Sequence, residues 1–457
     1  MKIALIVMPP VAVDHPLLGI GSLAGTLRES EHSVIIFDIN ILLFQEHPDK
    51  RWHWQREGID SWGTTDGVIQ WKKNICKKIE EFINKNKDID ACGLHVPSSG
   101  KELAHIAKEI LSENHIPTIV GGPEFFQNAD PLFSQNAAVC CGEGELAIKI
   151  WLERGCQIND NKEDPVVFDL NPLPLDLIAA PDFSGFDLSL YHRKNVLPLE
   201  TSRGCINNCS FCDDSRMWGK YRRKSFNLIK RDIDCVINNA NHISFCDSVL
   251  NPNPKRFKTL LATLENHSLT WDGMIQARGI SQSIAKAMKN SGCTDIFVGV
   301  ESFDTDFLKK LNKSSASKNG FESILHLNNA GIRPSIGLIV AGPPLQTRKS
   351  FLKDLDTIKD LSGYLFSVAI NPLCIPKGTP LWNEGEEQGI NGLSGNKSWK
   401  FWHAGNGIKD IKIRIEWCEE AVDLLKSKGV STGDNYEDFS HFASAFINEA
   451  ENWFEGF

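Results

Sequence analysis

The chain has 457 residues, of which 41% are hydrophobic and 23% are charged, and its formal net charge is −9. This length exceeds that of one ordinary hydrophobic core, so we expect two domains and an appendage. The negative charge argues against a general nucleic-acid-binding surface, although one basic run, residues 220–224, is either a solvated helix start or a substrate-binding patch. No apolar run approaches the roughly 20 residues of a membrane span, and no signal peptide is recognisable. The sequence predicts a cytoplasmic globular protein with reduced cysteines.

Short apolar segments alternate with amphipathic stretches from residue 1 to about 153. The segments with the length and composition of buried strands are 3–7, 33–37, 91–96, 118–120 and 138–141. Helical periodicity occurs between them, over residues 23–29, 103–111 and 146–153. Alternation of this kind predicts an α/β domain with a parallel, doubly wound sheet.

Small and polar residues follow these predicted strands. Ligands of such sheets bind beyond the carboxyl ends of the strands, and glycine lets the backbone approach a large flat ligand. The binding candidates at these ends are Ser98, Ser99, Gly121, Gly122, Gly142, Glu143 and Gly144. Glycine and proline also end strands for purely structural reasons, so each turn taken alone has a second explanation.

Two segments depart from the alternation. Residues 38–80 form a long connection with four tryptophans, Trp52, Trp54, Trp62 and Trp71. A long insertion in a compact domain is usually functional, but tryptophans can equally serve packing. Residues 154–195 are rich in proline and predict an extended linker to a second domain.

Three cysteines lie within eight residues, at Cys205, Cys209 and Cys212. Three thiolates on one loop can hold three irons of a four-iron cubane and leave the fourth iron open to a substrate or cofactor. The alternative is a structural zinc ion, to which Asp213 or Asp214 could add an oxygen. Zinc sites usually have paired cysteine or histidine ligands, however, and no second pair follows here.

The cysteine spacing, with Phe211 directly before the last cysteine, resembles the cluster loop of the radical S-adenosylmethionine (SAM) enzymes. The resemblance implies that a four-iron four-sulfur cluster, written [4Fe-4S], binds at the three cysteines and chelates the amino and carboxylate groups of SAM. One electron from the cluster then cleaves SAM to methionine and a 5'-deoxyadenosyl radical. No second cluster motif stores electrons, so we expect an external donor of the flavodoxin or ferredoxin type. Phe211 belongs near the adenine of SAM.

A second alternation of strands and helices begins at residue 196 and contains the cysteine loop. Its predicted strands are 196–200, 242–245, 271–277, 296–300, 335–340 and 365–370, with helices such as 228–237 and 351–361 between them. Six such units are too few to close an eight-unit barrel. We therefore expect a partial (β/α)6 barrel over residues 196–382, which is typical of the radical SAM family, with the cysteine loop after its first strand.

Polar residues after the second predicted barrel strand extend the resemblance. Many family members hold the SAM amino group there with a Gly-Gly-Glu motif, which this chain lacks. The run 245–247 looks like the variant found in the cobalamin-type branch of the family. The resemblance therefore makes Asp247 and Ser248, with Asn251 nearby, candidates for binding SAM.

Later strand ends supply further candidates. Glu301 follows the fourth predicted strand in a Gly-x-Glu-Ser motif, and the resemblance implies hydrogen bonds from the SAM ammonium or ribose to its carboxylate. Arg278 ends the third strand and could pair with the SAM carboxylate in a bidentate way. We take Glu301 and Arg278 as catalytic candidates, and a buried structural ion pair is the alternative for each. The run from Gly337 to Gly342 resembles the glycine motif against which adenine lies.

In front of such a barrel, the N-terminal turns resemble the cobalamin-binding domain of cobalamin-dependent radical SAM enzymes. Matching turns lie at residues 9–10, 19–24, 121–123 and 142–145. The resemblance implies cobalamin at the strand-end candidates named above. The Asp-x-His-x-x-Gly motif that gives cobalt a lower ligand in mutases is absent, as in many radical family members, so the lower face of the corrin is unassigned. A sheet that has lost the cofactor is the alternative.

We therefore predict a cobalamin-binding-like domain over residues 1–153, a linker over 154–195, a radical SAM barrel over 196–382 and a short helical C-terminal region over 383–457. The resemblance implies a cobalamin-dependent C-methyltransferase that acts on an unactivated carbon of a small molecule or peptide, with one SAM giving the radical and a second remethylating cobalamin. A rearrangement, a cyclisation or transfer of another SAM fragment, with or without cobalamin, remains an alternative. So does a non-catalytic metal-binding or redox-sensing protein. A methylthiotransferase is disfavoured because the N-terminal domain has no second cysteine triad.

Overall fold

The chain divides into two compact units. The structure is a computed structural model, and it describes residues 1–55, 58–125, 130–158, 166–313, 317–394, 398–433 and 439–455. Unit 1 comprises Met1–Glu200 and Arg222–Ile243, and unit 2 comprises Thr201–Tyr221 and Ser244–Phe457. The segment boundaries given above remain predictions.

Strands and helices alternate along most of the described chain. The strands are β1 (Lys2–Val7), β2 (Ser33–Asp38), β3 (Ala91–His95), β4 (Thr118–Gly121), β5 (Ala138–Cys141), β6 (Val167–Asp169), β7 (Val196–Leu199), β8 (Ser202–Arg203), β9 (Arg222–Arg223), β10 (His242–Phe245), β11 (Thr270–Asp272), β12 (Met274–Gln276), β13 (Asp295–Glu301), β14 (Arg333–Val340) and β15 (Ser367–Pro372). The α-helices are α1 (Leu18–Glu29), α2 (Ile39–Glu46), α3 (Thr65–Lys85), α4 (Lys101–Glu113), α5 (Pro131–Ser134), α6 (Gly144–Glu153), α7 (Asp214–Trp218), α8 (Phe226–Val236), α9 (Pro254–Glu265), α10 (Gln282–Asn290), α11 (Thr305–Lys310), α12 (Ser317–Asn329), α13 (Arg348–Leu361), α14 (Pro380–Asn383), α15 (Ser398–Phe401), α16 (Ile408–Ser427) and α17 (Phe439–Glu455).

Unit 1 is built on a six-stranded sheet in the order β2-β1-β3-β4-β5-β6, with every strand pair parallel. The predicted parallel, doubly wound sheet is confirmed. The strand order reverses between β1 and β3, and sheets of this kind bind ligands beyond the carboxyl ends of the strands at such a switch point. β6 lies within the segment predicted as a linker, where Phe168 is buried and the strand pairs with β5. Residues 159–165 of that segment lie outside the described residues.

The tryptophan-rich connection of unit 1 packs into the core. Trp62 and Trp71 are completely buried, and their rings stack with centroids 4.6 Å apart. Both belong to a cluster of apolar side chains that includes residues of β1, β3 and β4. For these two residues the structure supports the packing explanation, since buried aromatic pairs stabilise a core by area and by ring contact.

Unit 2 contains a parallel sheet in the order β12-β13-β14-β15. The six predicted barrel strands are all present, so the partial barrel is confirmed. The third predicted strand is interrupted at Gly273 and forms β11 and β12. A Cβ at Gly273 would lie 2.6 Å from Leu250 Cδ1, so only glycine fits at the point where the two strands separate.

The C-terminal helices of unit 2 are fixed to the barrel by a buried arginine. Arg414 of α16 donates from Nε to the carbonyl of Ala341 (3.0 Å) and from Nη2 to that of Trp402 (2.8 Å). Its guanidinium lies 3.6 Å from the Trp402 ring centroid. Burial lowers the pKa of Arg414 to about 10, so it remains charged at neutral pH. The short helical C-terminal region is confirmed.

Two expectations from composition concern membranes and disulfides. No helix in the described part of the chain has the length and apolar character required to cross a membrane. None of the thirteen cysteines forms a disulfide in the structure. A cytoplasmic location remains a prediction.

Candidate active site

The cysteine loop lies between β8 and α7. Cys209 is buried, and Cys205 and Cys212 are half-buried. Gly204, directly before the first cysteine, has φ +78°, a backbone conformation that favours glycine. The loop therefore leaves β8 through a turn that residues with a side chain rarely adopt.

Hydrogen bonds to the backbone of the loop hold it in unit 2. Asn312 donates from Nδ2 to the carbonyl of Asn208 (2.6 Å). Ser210 donates its N–H to the carbonyl of Leu311 (3.0 Å) and accepts from the N–H of Leu381 (2.8 Å). The turn after α11 and the start of α14 thus support the middle of the cysteine loop.

The three thiols are close enough to influence one another. Burial, together with smaller contributions from Cys209 and Cys205, raises the pKa of Cys212 to about 12. Among the described residues no three cysteine, histidine or carboxylate side chains converge on a single metal ion. A cubane does not need such convergence, because each cysteine binds a different iron. Three thiols on one loop are a donor set that fits a [4Fe-4S] cluster.

Asp247 supports the strand that leads into this loop. Its carboxylate accepts hydrogen bonds from Thr201 N (2.8 Å), Thr201 Oγ1 (2.7 Å) and Ser202 Oγ (2.6 Å). Asp247 is 2% exposed, so these bonds are shielded from water. The structure gives Asp247 a positioning role, and direct contact with SAM remains a prediction for Asp247 and for the half-buried Ser248.

A second set of hydrogen bonds joins the loop to β12. Asn207 donates to Cys205 Sγ (3.6 Å) and to Gln276 Oε1 (3.4 Å). Asn251 accepts from Gln276 N (2.9 Å) and donates to the carbonyl of Arg278 (3.3 Å). The side chain of Arg278 is exposed and has no partner within the described ranges. Its guanidinium is thus available to a ligand, and the buried ion pair considered for it is not formed.

Glu301 ends β13 in an unusual conformation. Its φ is +65°, and the register with β14 shifts between Val298 and Glu301. Non-glycine residues with positive φ concentrate at functional sites, where the surrounding structure maintains them. The Glu301 carboxylate pairs with Lys313, with 2.6 Å between Oε1 and Nζ, and the two side chains are 13% and 16% exposed. Glu301 therefore forms the buried ion pair considered in the sequence analysis.

Two glycines leave room for this ion pair. A Cβ at Gly299 would lie 3.0 Å from Lys313 Nζ, and one at Gly337 would lie 3.2 Å from Glu301 Oε2. Gly337 is buried on β14. No hydrogen bond to Oε2 is found in the described structure, which leaves this oxygen available to a ligand.

Phe211 and Gly342 lie beside the end of β14. Phe211 packs against a core cluster that includes Ile339 and Ala341. Gly342 follows β14 with φ +68°. The structure thus brings Phe211, from the cysteine loop, to the strand end where the sequence analysis expects adenine.

A buried network joins the ends of β13 and β14. Asp354 accepts from Ser302 Oγ (2.8 Å), Phe303 N (2.5 Å) and Gln346 Nε2 (3.1 Å), and Gln346 accepts from Ala341 N (3.0 Å). Burial raises the pKa of Asp354 to about 7, although the hydrogen bonds oppose this shift. No local sequence pattern indicates this network, because Ser302 and Asp354 lie 52 residues apart.

In unit 1 the predicted turns lie at the carboxyl ends of β3, β4 and β5. Ser98 is exposed, and Ser99 donates to Asp60 (3.2 Å). Gly122 has φ +133°, and a Cβ there would lie 2.6 Å from the carbonyl oxygen of Val96. This close approach explains the glycine. A bulky residue at Gly122 would distort the turn, so Ser98 is the better position for a steric test.

The remaining candidates follow β4 and β5. Gly121 is half-buried, and a Cβ there would lie 3.5 Å from Cys140 Cβ. Gly142 faces open space, whereas a Cβ at Gly144 would lie 3.2 Å from Leu23 Cδ2. The turn after β5 is therefore open at its first glycine and packed at its second.

Glu143 and two residues of the basic run 220–224, Arg222 and Lys224, form ion pairs inside unit 1. Arg222 donates to Glu143 Oε2 (3.1 Å). Lys224 is buried and lies 2.8 Å from Asp232 and 3.6 Å from Glu200. Arg222 and Lys224 therefore form ion pairs inside unit 1, and for the exposed Lys220 and Arg223 both alternatives remain predictions.

His95 is a polar residue of this edge that the sequence analysis missed. It ends β3, opposite Val7 of β1 and Gly121 of β4. Its Nδ1 is buried without a hydrogen-bond partner in the described structure. Burial lowers the pKa of His95 to about 4, so the ring is neutral at pH 7. An unpaired buried nitrogen is unfavourable unless a ligand satisfies it.

The sequence offers only weak signals for His95 and Lys313, neither of which was predicted as a site residue. His95 is a polar residue at the end of an apolar strand, and the predicted strand 91–96 ran through it. Lys313 follows α11 and has no recognisable spacing from Glu301 in the sequence, so its position beside Glu301 depends on the fold. The first could have been found by inspecting strand ends residue by residue, and the second could not.

Residues 199–358 match the radical SAM superfamily. The matched range contains the cysteine loop, Arg278, Glu301 and Lys313. The chain is a radical SAM enzyme. A [4Fe-4S] cluster and SAM are cofactors of this family, so the central prediction is confirmed and is supported over the non-catalytic alternative. The roles of individual site residues remain predictions.

Relatives in sequence include proteins named as methyltransferases. An uncharacterised methyltransferase of Pyrococcus horikoshii is 27% identical over 470 residues, which cover 94% of this chain and 92% of that protein. The bacteriochlorophyllide d C-12(1)-methyltransferase of Chlorobaculum tepidum is 28% identical over 258 residues, which cover 52% of this chain and 54% of that protein. The hopanoid C-3 methylase of Methylococcus capsulatus is 26% identical, covering 70% of this chain and 60% of that protein.

Two solved structures are similar over nearly the whole of this radical SAM chain. The radical SAM methyltransferase TsrM from Kitasatospora setae, solved with cobalamin and a [4Fe-4S] cluster, has a TM-score of 0.68 at 13% identity, with 99% of each chain covered. The cobalamin-dependent radical SAM enzyme OxsB has a TM-score of 0.66 at 17% identity, with 98% of this chain and 71% of that chain covered. At these identities the likeness shows the fold, and the predicted fold class is confirmed.

Proposed function

We propose that this radical SAM enzyme is a cobalamin-dependent C-methyltransferase that acts on an unactivated carbon of a small molecule or peptide. The observation that carries the cobalamin assignment is the unpaired Nδ1 of His95 at the switch point of the unit 1 sheet. Relatives whose names describe methyl transfer to carbon support the reaction type.

The edge of the unit 1 sheet fits a large ligand. Gly142 faces open space, Ser98 is exposed, and the neutral His95 ring lacks a partner in the described part of the chain. Cobalamin would supply a carrier for the methyl group. His95 would bind it by a hydrogen bond or as a ligand, because a neutral imidazole can do either.

The residues of unit 2 would hold the cluster and SAM. Cys205, Cys209 and Cys212 would bind three irons of the [4Fe-4S] cluster, which supplies the electron that cleaves SAM. The free guanidinium of Arg278 would pair with the SAM carboxylate, and Glu301 Oε2 would accept from the SAM ammonium or ribose.

Adenine would lie beside Gly337 and Gly342, against the ring of Phe211. Phe211 already packs on residues next to this strand end, so its ring does not need to move far. Gly337 has no side chain that would occupy the space over β14. These two features would orient SAM relative to the cysteine loop.

The reaction needs partners outside this chain. The electron would come from a low-potential donor of the flavodoxin or ferredoxin type in the cytoplasm. The methyl acceptor would be a small molecule or a peptide.

The test compares two products of SAM. Reconstituted protein is incubated anaerobically with SAM and titanium(III) citrate, with or without hydroxocobalamin. We expect 5'-deoxyadenosine in both samples and S-adenosylhomocysteine, which forms when SAM loses its methyl group, only with hydroxocobalamin. Formation of 5'-deoxyadenosine without S-adenosylhomocysteine under both conditions would contradict methyl transfer and favour a rearrangement or cyclisation.

A pair of variants locates the corrinoid requirement. Ser98→Trp fills the exposed strand end of unit 1 and should abolish S-adenosylhomocysteine while 5'-deoxyadenosine formation persists. Glu113→Trp adds the same side chain at the exposed far end of α4 and should keep both products. Equal loss in both variants would show that Ser98 does not mark the corrinoid site.

A further inference from the structure

Lys313 lies near both Glu301 and the cysteine loop of unit 2. Its Nζ is 2.6 Å from Glu301 Oε1 and 6.0 Å from the centroid of the Phe211 ring. Phe211 directly precedes Cys212, so the ammonium group is close to the cysteine loop. Asn312, the preceding residue, bonds to the carbonyl of Asn208 in that loop. One turn of the chain thus contacts both the cysteine loop and Glu301.

The surroundings of Lys313 keep it charged. Burial by itself would lower the pKa of Lys313, but the Glu301 carboxylate, 2.6 Å away, raises it above its ordinary value. The Phe211 ring is within the range at which an aromatic face attracts a cation. A buried ammonium without such partners would be strongly unfavourable.

We propose that Lys313 is a positioning residue of the radical SAM site, which holds the Glu301 carboxylate in place and puts a positive charge beside the [4Fe-4S] cluster that favours its reduced state. The proposal rests on the radical SAM activity and is independent of methyl transfer and cobalamin. One electron from an external low-potential donor reduces the cluster, and no proton is transferred.

The physical reason is the sign of the charge that reduction adds. The reduced cluster carries one more negative charge than the oxidised cluster, so a nearby cation stabilises it and a nearby anion destabilises it. Because Lys313 and Glu301 are only partly exposed, solvent screens their charges less than those of surface residues. Lys313 and Glu301 should therefore have opposite effects on the reduction equilibrium.

The test is a redox titration of the reconstituted cluster in four proteins: the parent, Lys313→Met, Glu301→Gln and the double variant. At one fixed donor potential, we expect Lys313→Met to lower the ratio of reduced to oxidised cluster at least tenfold. For a one-electron couple this corresponds to a decrease of about 59 mV in the midpoint potential of the cluster. Glu301→Gln should raise the ratio. The double variant should lie near the parent, because removing both charges restores the balance.

Two controls separate charge from packing. Lys313→Arg keeps the charge and should restore most of the parent ratio. Lys309→Met removes the same charge from a side chain that is 63% exposed and paired with Asp306, and it should leave the ratio unchanged. The iron content of each variant is measured in parallel, so that loss of the cluster is not mistaken for a shift.

The outcome that would overturn the proposal is an unchanged ratio in Lys313→Met at full iron content. Shifts of the same sign in Lys313→Met and Glu301→Gln would overturn it as well, because loosened packing, and not charge, would then be the cause. If Lys313→Met does not fold, the sign of the Glu301→Gln shift still decides. An absence of cluster in the parent would instead contradict the radical SAM assignment.

Discussion

The two units use the carboxyl ends of their strands in different ways. In unit 1 the ends of β3 and β5 carry the neutral His95 and the open Gly142. In unit 2 the end of β13 carries the Glu301–Lys313 ion pair beside the cysteine loop. Open turns suit a large ligand, whereas fixed charges suit SAM, which has an ammonium, a carboxylate and a sulfonium. On the proposed assignments, the same edge of a parallel sheet serves a different ligand in each unit, depending on a few side chains.

The largest expected effect separates the two sites completely. Cys209→Ala should abolish cluster binding, because a cubane held by three cysteines loses an essential ligand. Corrinoid binding in unit 1 should persist. Iron, sulfide and retained hydroxocobalamin after gel filtration measure both properties. Cys246→Ala, an exposed cysteine outside the loop, is the matched control and should keep four irons. Loss of corrinoid together with the cluster would break the comparison.

The second effect concerns the proposed corrinoid site of unit 1, where the His95 ring is neutral. His95→Leu should weaken retention of hydroxocobalamin by about tenfold, since a hydrogen bond to a buried group is worth roughly 1 to 3 kcal/mol. The same substitution should stabilise the corrinoid-free protein slightly, because it removes an unpaired buried nitrogen. Equilibrium binding and urea unfolding measure the two changes. His192→Leu, with a side chain that is 71% exposed, should change neither. Unchanged affinity in His95→Leu would remove His95 from the site.

The third effect concerns the proposed SAM site of unit 2, which contains Arg278 and the Glu301–Lys313 ion pair. Arg278→Ala should weaken SAM binding by about tenfold at unchanged iron content, because one charge-assisted hydrogen bond is worth roughly 1.5 to 3 kcal/mol. Glu301→Ala should weaken SAM binding more than Arg278→Ala does, since Lys313 would also lose its close partner. Calorimetry under anaerobic conditions gives the affinities. Arg333→Ala, at the start of β14 and 58% exposed, is the control. Parent-like affinity in Arg278→Ala and Glu301→Ala would refute both assignments.

The smallest effect is a pH dependence in unit 2. The pKa of Asp354 is raised to about 7 in the folded protein, so the folded state holds a proton that the unfolded state loses above about pH 4. The stability that this proton confers is present at low pH and is lost as the pH rises through 7. From pH 5.5 to 7 the loss should be on the order of 1 kcal/mol. Asp354→Asn cannot titrate and should lack this slope in urea unfolding. An identical slope in the parent and the variant would contradict the raised pKa.

The sequence predicted local chemistry better than long-range contacts. The cysteine spacing and the strand-end glycines are visible in short runs, and the partial barrel follows from the period of the strands. Lys313, however, reaches Glu301 because α11 and the turn after it fold back toward β13. The partners of Asp247 likewise lie 45 and 46 residues away in sequence, so no local pattern indicates that its carboxylate holds the strand before the cysteine loop.

The break at Gly273 and the strand β6 show a second limit of structure prediction from the sequence. Periodicity predicted one strand over 271–277, but β11 and β12 are separate strands, with Gly273 between them packed closely against Leu250. β6 was hidden in a proline-rich segment because Val167–Asp169 is only 3 residues long. Both features depend on tertiary packing, which overrides the local pattern.

The most direct test of the central claim is the cleavage of SAM itself. The reconstituted parent and Cys209→Ala are incubated with SAM and titanium(III) citrate, and 5'-deoxyadenosine is quantified by mass spectrometry. We expect slow formation of 5'-deoxyadenosine by the parent without added substrate, and none by Cys209→Ala. A parent that contains four irons, binds SAM and still releases no 5'-deoxyadenosine after full reduction would contradict the account.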